Sequence, residues 1–207
     1  MTRCLVALVV LAAVMVTGCV TPSVSGQAIA PKANEAEAYH GAWLDQPFAM
    51  PDVTLTDTAG LPYNLRTSPT TPVSLLYLGY PDCPGVCNDT LGGLASALDE
   101  LAPDMRDDIT VLFVDIDADR GSSKQLKRWL AGHGDGFVGL RGTTGEIRGI
   151  ADAVGVEMHE PGPDGTILHS AQIIGFDRHH RATVLWTPGV PVDALTADLQ
   201  TLVSAQR

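Results

Sequence analysis

The sequence predicts an α/β fold: a central mixed sheet flanked by helices, with an N-terminal β-hairpin. Three observations lead there. "PVSLLYLGY" (72–80) and "ITVLFVDID" (109–117) are continuous apolar runs of strand length, the pattern of parallel strands covered on both faces. Segments with apolar residues at helical spacing follow each of them. Alternating segments around turn residues stand at both ends of the domain and read as hairpins.

In chain order, "MPDVTLTDTAGLPYNL" (50–65) alternates about a turn at Gly60 and gives the first hairpin. The strand 72–80 follows. "DTLGGLASALDELAP" (89–103) places Leu91, Leu94, Leu98 and Leu101 on one helical face and stops at Pro103, which cannot continue a helix. The strand 109–117 comes next. "SSKQLKRWLAGH" (122–133) reads as a helix with Ser122 or Ser123 as N-cap. "TTGEIRGIADAVGV" (143–156) reads as another, with Thr143 and Glu146 at capping-box spacing. "GTILHSAQIIGFD" (165–177) and "ATVLW" (182–186) pair as a hairpin across "RHHR", and "VDALTADLQTLVSA" (192–205) is a final helix. Parallel strands joined by helices, with an antiparallel hairpin appended, describe a thioredoxin-like sheet.

The N-terminus stands apart from this pattern. "MTRCLVALVVLAAVMVTGCV" has one early cation, Arg3, and then an apolar run from Leu5 to Val16. About 12 apolar residues are too few for a spanning helix in a core of about 30 Å, so the run reads as a signal peptide. Its end, Val16-Thr17-Gly18-Cys19, resembles a bacterial lipobox. The division expected is a lipoprotein signal peptide over 1–18, a lipid-anchored tether over 19–42 and a folded domain over 43–207. The tether mixes Pro, Ser, Ala and charge without apolar periodicity. A coil of its length reaches roughly 25–30 Å. The mature domain is thus expected on the extracytoplasmic face of a bacterial membrane, on the periplasmic or cell-envelope side, where disulfides can persist.

The chain has 207 residues, 45% hydrophobic and 18% charged, with a net charge of −11. Cleavage before Cys19 removes one cation and no acid, which brings the charge to −12. An acidic surface repels phosphate backbones, so no nucleic-acid partner is expected.

The same cleavage removes Cys4 and commits Cys19 to lipid, leaving Cys83 and Cys87 of the chain's four cysteines. They stand in "YPDCPGVCND" (80–89), where a central strand ends and a helix begins. Sites of open α/β sheets form at the carboxyl ends of strands. A helix N-terminus stabilises thiolate and is expected to lower its pKa. At a separation of four, two sulfurs share a helical face and could chelate one ion; they could equally form a disulfide. Spacing leaves a staple, a redox pair and half a metal site open. A staple closing so small a loop adds little stability.

Two thiolates seldom complete a metal site. Of six histidines, His40 falls in the tether, His133 ends a helix, His159 lies in a polar loop, and His179 and His180 occupy a hairpin turn. His169 differs, because it lies inside the apolar stretch "TILHSAQIIGF". It is either a core histidine satisfied by a hydrogen bond or a ligand brought beside the cysteines by the fold.

"LLYLGYPDCPGVC", "VLFVDIDADR" and "ILHSAQIIGFD", in that order and at these intervals, resemble the Sco/SenC family over roughly residues 45–204. Cys83, Pro84, Val86 and Cys87 match the family's cysteine motif, Asp117 its acid after the second strand, and His169 its late histidine. Leu168 stands where the family often has Asp. The resemblance implies a membrane-tethered, thioredoxin-like copper protein associated with assembly of the dinuclear copper centre of cytochrome c oxidase. It implies Cys83, Cys87 and His169 as ligands of copper, Cu(I) or Cu(II), and makes Asp117 a candidate neighbour of the site. The partner implied is the oxidase's copper-bearing subunit or another copper chaperone.

Thiolate is soft and suits Cu(I), and imidazole suits Cu(II). A structural zinc site wants four protein ligands, and no fourth stands out. Between a metallochaperone and an enzyme, the former is expected. The alternative is a thiol–disulfide oxidoreductase in which Cys83 attacks and Cys87 resolves, reducing the cysteines of the oxidase copper site. Trp129 is expected in the core, and Trp186 at an edge or on the rim of a docking surface.

Overall fold

The computed structural model describes residues 36–207. The expected signal peptide, the Cys19 lipobox and most of the expected tether lie outside the described residues. Among the described residues, no helix is long and apolar enough to cross a membrane.

Eight strands form one mixed sheet in the order β1-β8-β7-β4-β5-β6-β2-β3. The strands are β1 (Ala42–Trp43), β2 (Thr54–Asp57), β3 (Pro62–Asn64), β4 (Val73–Gly79), β5 (Ile109–Asp115), β6 (Phe137–Arg141), β7 (Ile173–Phe176) and β8 (Ala182–Trp186). The helices are α1 (Val86–Asp99), α2 (Pro103–Arg106), α3 (Ser123–Ala131), α4 (Thr144–Val154) and α5 (Val192–Ser204). β4, β5 and β6 run parallel, and the remaining neighbours are antiparallel. Every residue of β4 is buried, as a central strand covered on both faces requires.

The first hairpin forms as expected, with Leu55 opposite Tyr63 and Gly60 at φ 86° in the turn. Ser122 caps α3 by accepting from Gln125 N–H, and Thr143 and Glu146 close a full capping box on α4. α4 ends on Gly155 at φ 69°, a conformation that costs glycine little.

Four expectations need correction. α1 starts at Val86 rather than Asp89, so Cys87 belongs to the helix and Cys83 to the turn before it; the sulfurs do not share a helical face. β6 was not expected, because "FVGLR" is short and broken by Gly139. That glycine admits α3: a Cβ there would stand 2.6 Å from Leu130 Cδ1. The strand expected over 165–177 begins only at Ile173, and His169 precedes it in irregular backbone. Trp186 is neither edge nor rim: it is 1% exposed and donates from Nε1 to Asp198 at 2.7 Å.

Candidate metal centre

β4 ends at Gly79 and the chain turns through Tyr80–Gly85 into α1. Cys83 N–H donates to Tyr80 O at 3.2 Å, and Gly85 takes φ 88° at the helix N-cap. The turn points both cysteines inward: Cys83 is 5% exposed and Cys87 fully buried, and both are free thiols.

His169 reaches them from the segment before β7. An isolated bridge pairs it with Met158, His159 N–H donates to Leu168 O at 2.9 Å, and Ser170 N–H donates to Glu157 O at 2.9 Å. The backbone on both sides of the imidazole is therefore held. Tyr80 adds a third hold: its hydroxyl accepts from Ile167 N–H at 3.0 Å, and its ring meets His169 edge-on at 6.0 Å.

Cys83, Cys87 and His169 each offer a ligating atom, and the three atoms lie within 4.8 Å of one another. Cys87 Sγ is 3.6 Å from His169 Nε2. His169 Nδ1 lies 3.0 Å from Ser170 O; a carbonyl can only accept, so Nδ1 carries the proton and Nε2 keeps its lone pair for the site. The three residues that the sequence singled out on separate grounds meet in one place.

The electrostatics depart from expectation. Burial pushes the Cys87 thiol up to about 12, and Cys83 adds in the same direction. The helix N-terminus was expected to lower it, but desolvation of a sealed thiolate outweighs that half-charge. Burial lowers the His169 pKa against the hydrogen bond to Ser170, which keeps the ring neutral. Both groups are thus poor homes for a lone charge and good donors to a soft cation. Donors on one ion with bonds of about 2–2.3 Å stand up to about 4.6 Å apart, so the observed spacing is within a small side-chain adjustment of a shared ion.

Asp117 is not one of these three donors. Its carboxylate accepts from Arg120 Nε at 2.7 Å, and Arg120 also donates to Gly165 O. Arg120 therefore ties the loop after β5 to the loop that leads to His169. Tyr80, Asp82, Asp117, Arg120 and Asp164 line a cleft of about 150 Å³ beside the centre. Asp115 is buried and held by Arg141 Nε at 3.2 Å, while Arg141 also donates to Ala118 O and Gly121 O. Burial raises the Asp115 pKa against these donors. The sequence reading missed Arg120, Arg141 and the positioning role of Tyr80. Only Tyr80 had a legible signal, a phenol at the end of an apolar strand.

The SCO1/SenC family model matches residues 44–204. A Stutzerimonas stutzeri protein whose name describes it as copper-binding is 26% identical over 128 residues, 60% of this chain and 62% of that relative; the chain thus spans under two thirds of its length. The apo Sco1 structure from Thermus thermophilus superposes with a TM-score of 0.70 at 29% identity, covering 79% of this chain and 96% of that one. The copper-bound ScoI structure from Bradyrhizobium japonicum superposes with a TM-score of 0.64 at 25% identity, covering 76% and 98%. A matched span that takes in both cysteines, the histidine and all but the first strand of the sheet means that this chain belongs to the SCO1/SenC family.

Proposed function

We propose that the chain is a membrane-tethered copper chaperone that binds copper through Cys83, Cys87 and His169 and assists assembly of the copper centre of cytochrome c oxidase. One observation carries the reading: two free sulfurs and one unprotonated imidazole nitrogen converge within 4.8 Å. The copper named for the Stutzerimonas relative and the Bradyrhizobium structure supports the choice of metal.

The cargo is a soft cation. Thiolates bind Cu(I), and the imidazole keeps the site serviceable for Cu(II). The thiols lose their protons to solvent as copper binds, so uptake releases protons and strengthens as pH rises. Three protein ligands leave one side for exchange. Pro84 and Leu168 are exposed beside the ligands, Leu168 at 65%, so a partner's ligand can approach from there. Delivery goes to the oxidase's copper-bearing subunit or to another copper chaperone. Cys19 carries the lipid that holds the domain at the extracytoplasmic face.

The test is an anaerobic copper titration of the reduced protein, residues 36–207, read by absorbance and electron spin resonance. One equivalent should bind. His169→Ala should weaken Cu(II) by more than about 100-fold, beyond the 10–100-fold typical of losing a residue that merely supports a ligand. An unaltered Cu(II) affinity in that variant would sink the carrier. Replacing Cys19 by Ser should move the protein from the membrane to the soluble fraction of cells.

The free, adjacent sulfurs also favour a second reading, a thiol–disulfide oxidoreductase. Cys83 and Cys87 would become a disulfide, passing two electrons and two protons to a disulfide of the oxidase copper site. Full thiol exchange in His169→Ala, with no tight copper in the parent, would select it.

A further inference from the structure

Beneath the centre, two buried hydroxyls have no hydrogen-bond partner among the described residues: Tyr77 Oη and Thr90 Oγ1. Tyr77 is fully buried and Thr90 is 9% exposed. An unmade bond on a buried hydroxyl costs stability, so a partner that arrives only in another state of the protein is worth seeking.

The candidate partner is the Cys87 sulfur. A Cβ built on Gly79 would stand 2.7 Å from Tyr77 Cε1 and 3.1 Å from Cys87 Sγ. The edge of the ring that bears the hydroxyl and the sulfur therefore crowd the same point of backbone. Thr90 lies three residues after Cys87 in α1, on the same face of the helix. A neutral thiol is a weak acceptor, whereas a thiolate is a strong one.

We propose that Tyr77 Oη, backed by Thr90 Oγ1, donates a hydrogen bond to the Cys87 sulfur when that sulfur is a metal-bound thiolate, and so helps set how tightly the site holds copper. The chain of donation runs Thr90 to Tyr77 to Cys87. Each hydroxyl in such a chain polarises the next. In the metal-free protein neither hydroxyl has a hydrogen-bond partner among the described residues, and the thiol offers Tyr77 a weaker acceptor than a thiolate does.

This inference rests on the copper reading, and its test separates the two. The parent, Tyr77→Phe and Thr90→Val are titrated with Cu(I) against a competing chelator, with Cu(II), and with cadmium as an independent thiolate probe. Their melting temperatures are measured reduced and metal-free. Tyr77→Phe should keep or raise the metal-free melting temperature and lose roughly tenfold to a hundredfold in copper affinity, the range of one hydrogen bond to a charged group. Its sulfur-to-Cu(II) charge-transfer band should move to longer wavelength, because a sulfur without that bond gives up electron density more readily. Thr90→Val should show the same changes at smaller size, and the double variant no more than Tyr77→Phe alone.

Parent-like affinity and band position in Tyr77→Phe would overturn the inference. So would a fall in its metal-free melting temperature, since that would place a working bond in the empty state. If Tyr77→Phe fails to fold, Thr90→Val decides alone on the same two readouts. A parent that takes cadmium but no copper overturns the carrier reading, and the cadmium affinities of the variants then decide the hydroxyl. A parent that binds neither metal overturns both.

Discussion

Cys87 is a thiol that resists ionisation until a cation comes to meet it. Its pKa, pushed up to about 12 by burial first, lies well above the ordinary value near 8.5. A raised folded pKa contributes stability below the unfolded value and loses it as pH climbs through the folded one. The reduced, metal-free protein should therefore lose melting temperature between about pH 8.5 and 12, and Cys87→Ser should flatten that decline. An unchanged slope in the variant would show that other groups cause it. His169 works in the opposite sense. Its lowered pKa gives stability that is present above the unfolded value near 6.5 and is lost as pH falls through the folded value. His169→Gln should blunt the acid limb of the metal-free stability profile, which thermal melts across pH 4–7 would record.

At the scale of elements, the centre is a junction. β4 stops at Gly79, the turn admits Cys83, and α1 begins in time to carry Cys87. Gly79 is required for close approach rather than for a special φ. A methyl there would meet Tyr77 and Cys87 Sγ at 2.7 and 3.1 Å. Gly79→Ala should cost about 1–3 kcal/mol, the usual range for overpacking a core, and should weaken copper by displacing the sulfur. Denaturant melts and chelator competition measure the two effects separately. The second element is the histidine-bearing segment, held by Tyr80, the Met158 bridge and Arg120. Arg120 is 47% exposed, so its ion pair with Asp117 contributes at most about 1 kcal/mol to folding. Arg120→Ala should consequently shift the melting temperature by no more than about 4 °C while lowering copper affinity several-fold through a looser His169 loop. A variant that melted much lower but bound copper normally would contradict that division.

Across the whole molecule, the two ends of the described chain meet at Asp198. Its carboxylate is fully buried in α5 and accepts from His40 N–H, Gly41 N–H and Trp186 Nε1 at 2.7–3.0 Å. Burial alone would raise its pKa, yet these donors prevail and the pKa is lowered. The bonds are present above the unfolded carboxylate value near 3.9 and weaken as pH falls through the folded one. The segment 40–43, which includes the edge strand β1, is thereby fastened to α5 through Asp198 and to β8. Asp198→Ala leaves three donors without an acceptor and should cost about 3 kcal/mol or more, with copper affinity little changed because Asp198 bonds His40, Gly41 and Trp186 and none of the three ligands. Proteolysis should then cut near residues 36–42 far faster than in the parent. Copper loss in proportion to stability loss would show instead that the contact of α5 with α1 transmits the damage.

The central strands, the first hairpin and both capped helices were legible in the sequence because their signals are local. Apolar runs, turn glycines, a serine cap and a Thr143–Glu146 pair each act within a few residues. Cys83 and Cys87 stood out for the same reason. His169 was legible as an oddity, a polar ring in an apolar stretch, but as a ligand only through the family resemblance. What the tertiary structure alone decided is everything that depends on residues far apart in the chain. It set Cys87 Sγ 3.6 Å from His169 Nε2 across 82 residues, brought Arg120 onto Gly165, and buried Trp186 against Asp198. It also reversed the expected sign of the Cys87 pKa. A helix N-terminus can be read from a motif, but desolvation is a property of all the atoms that surround a sulfur, and only the packed fold supplies them.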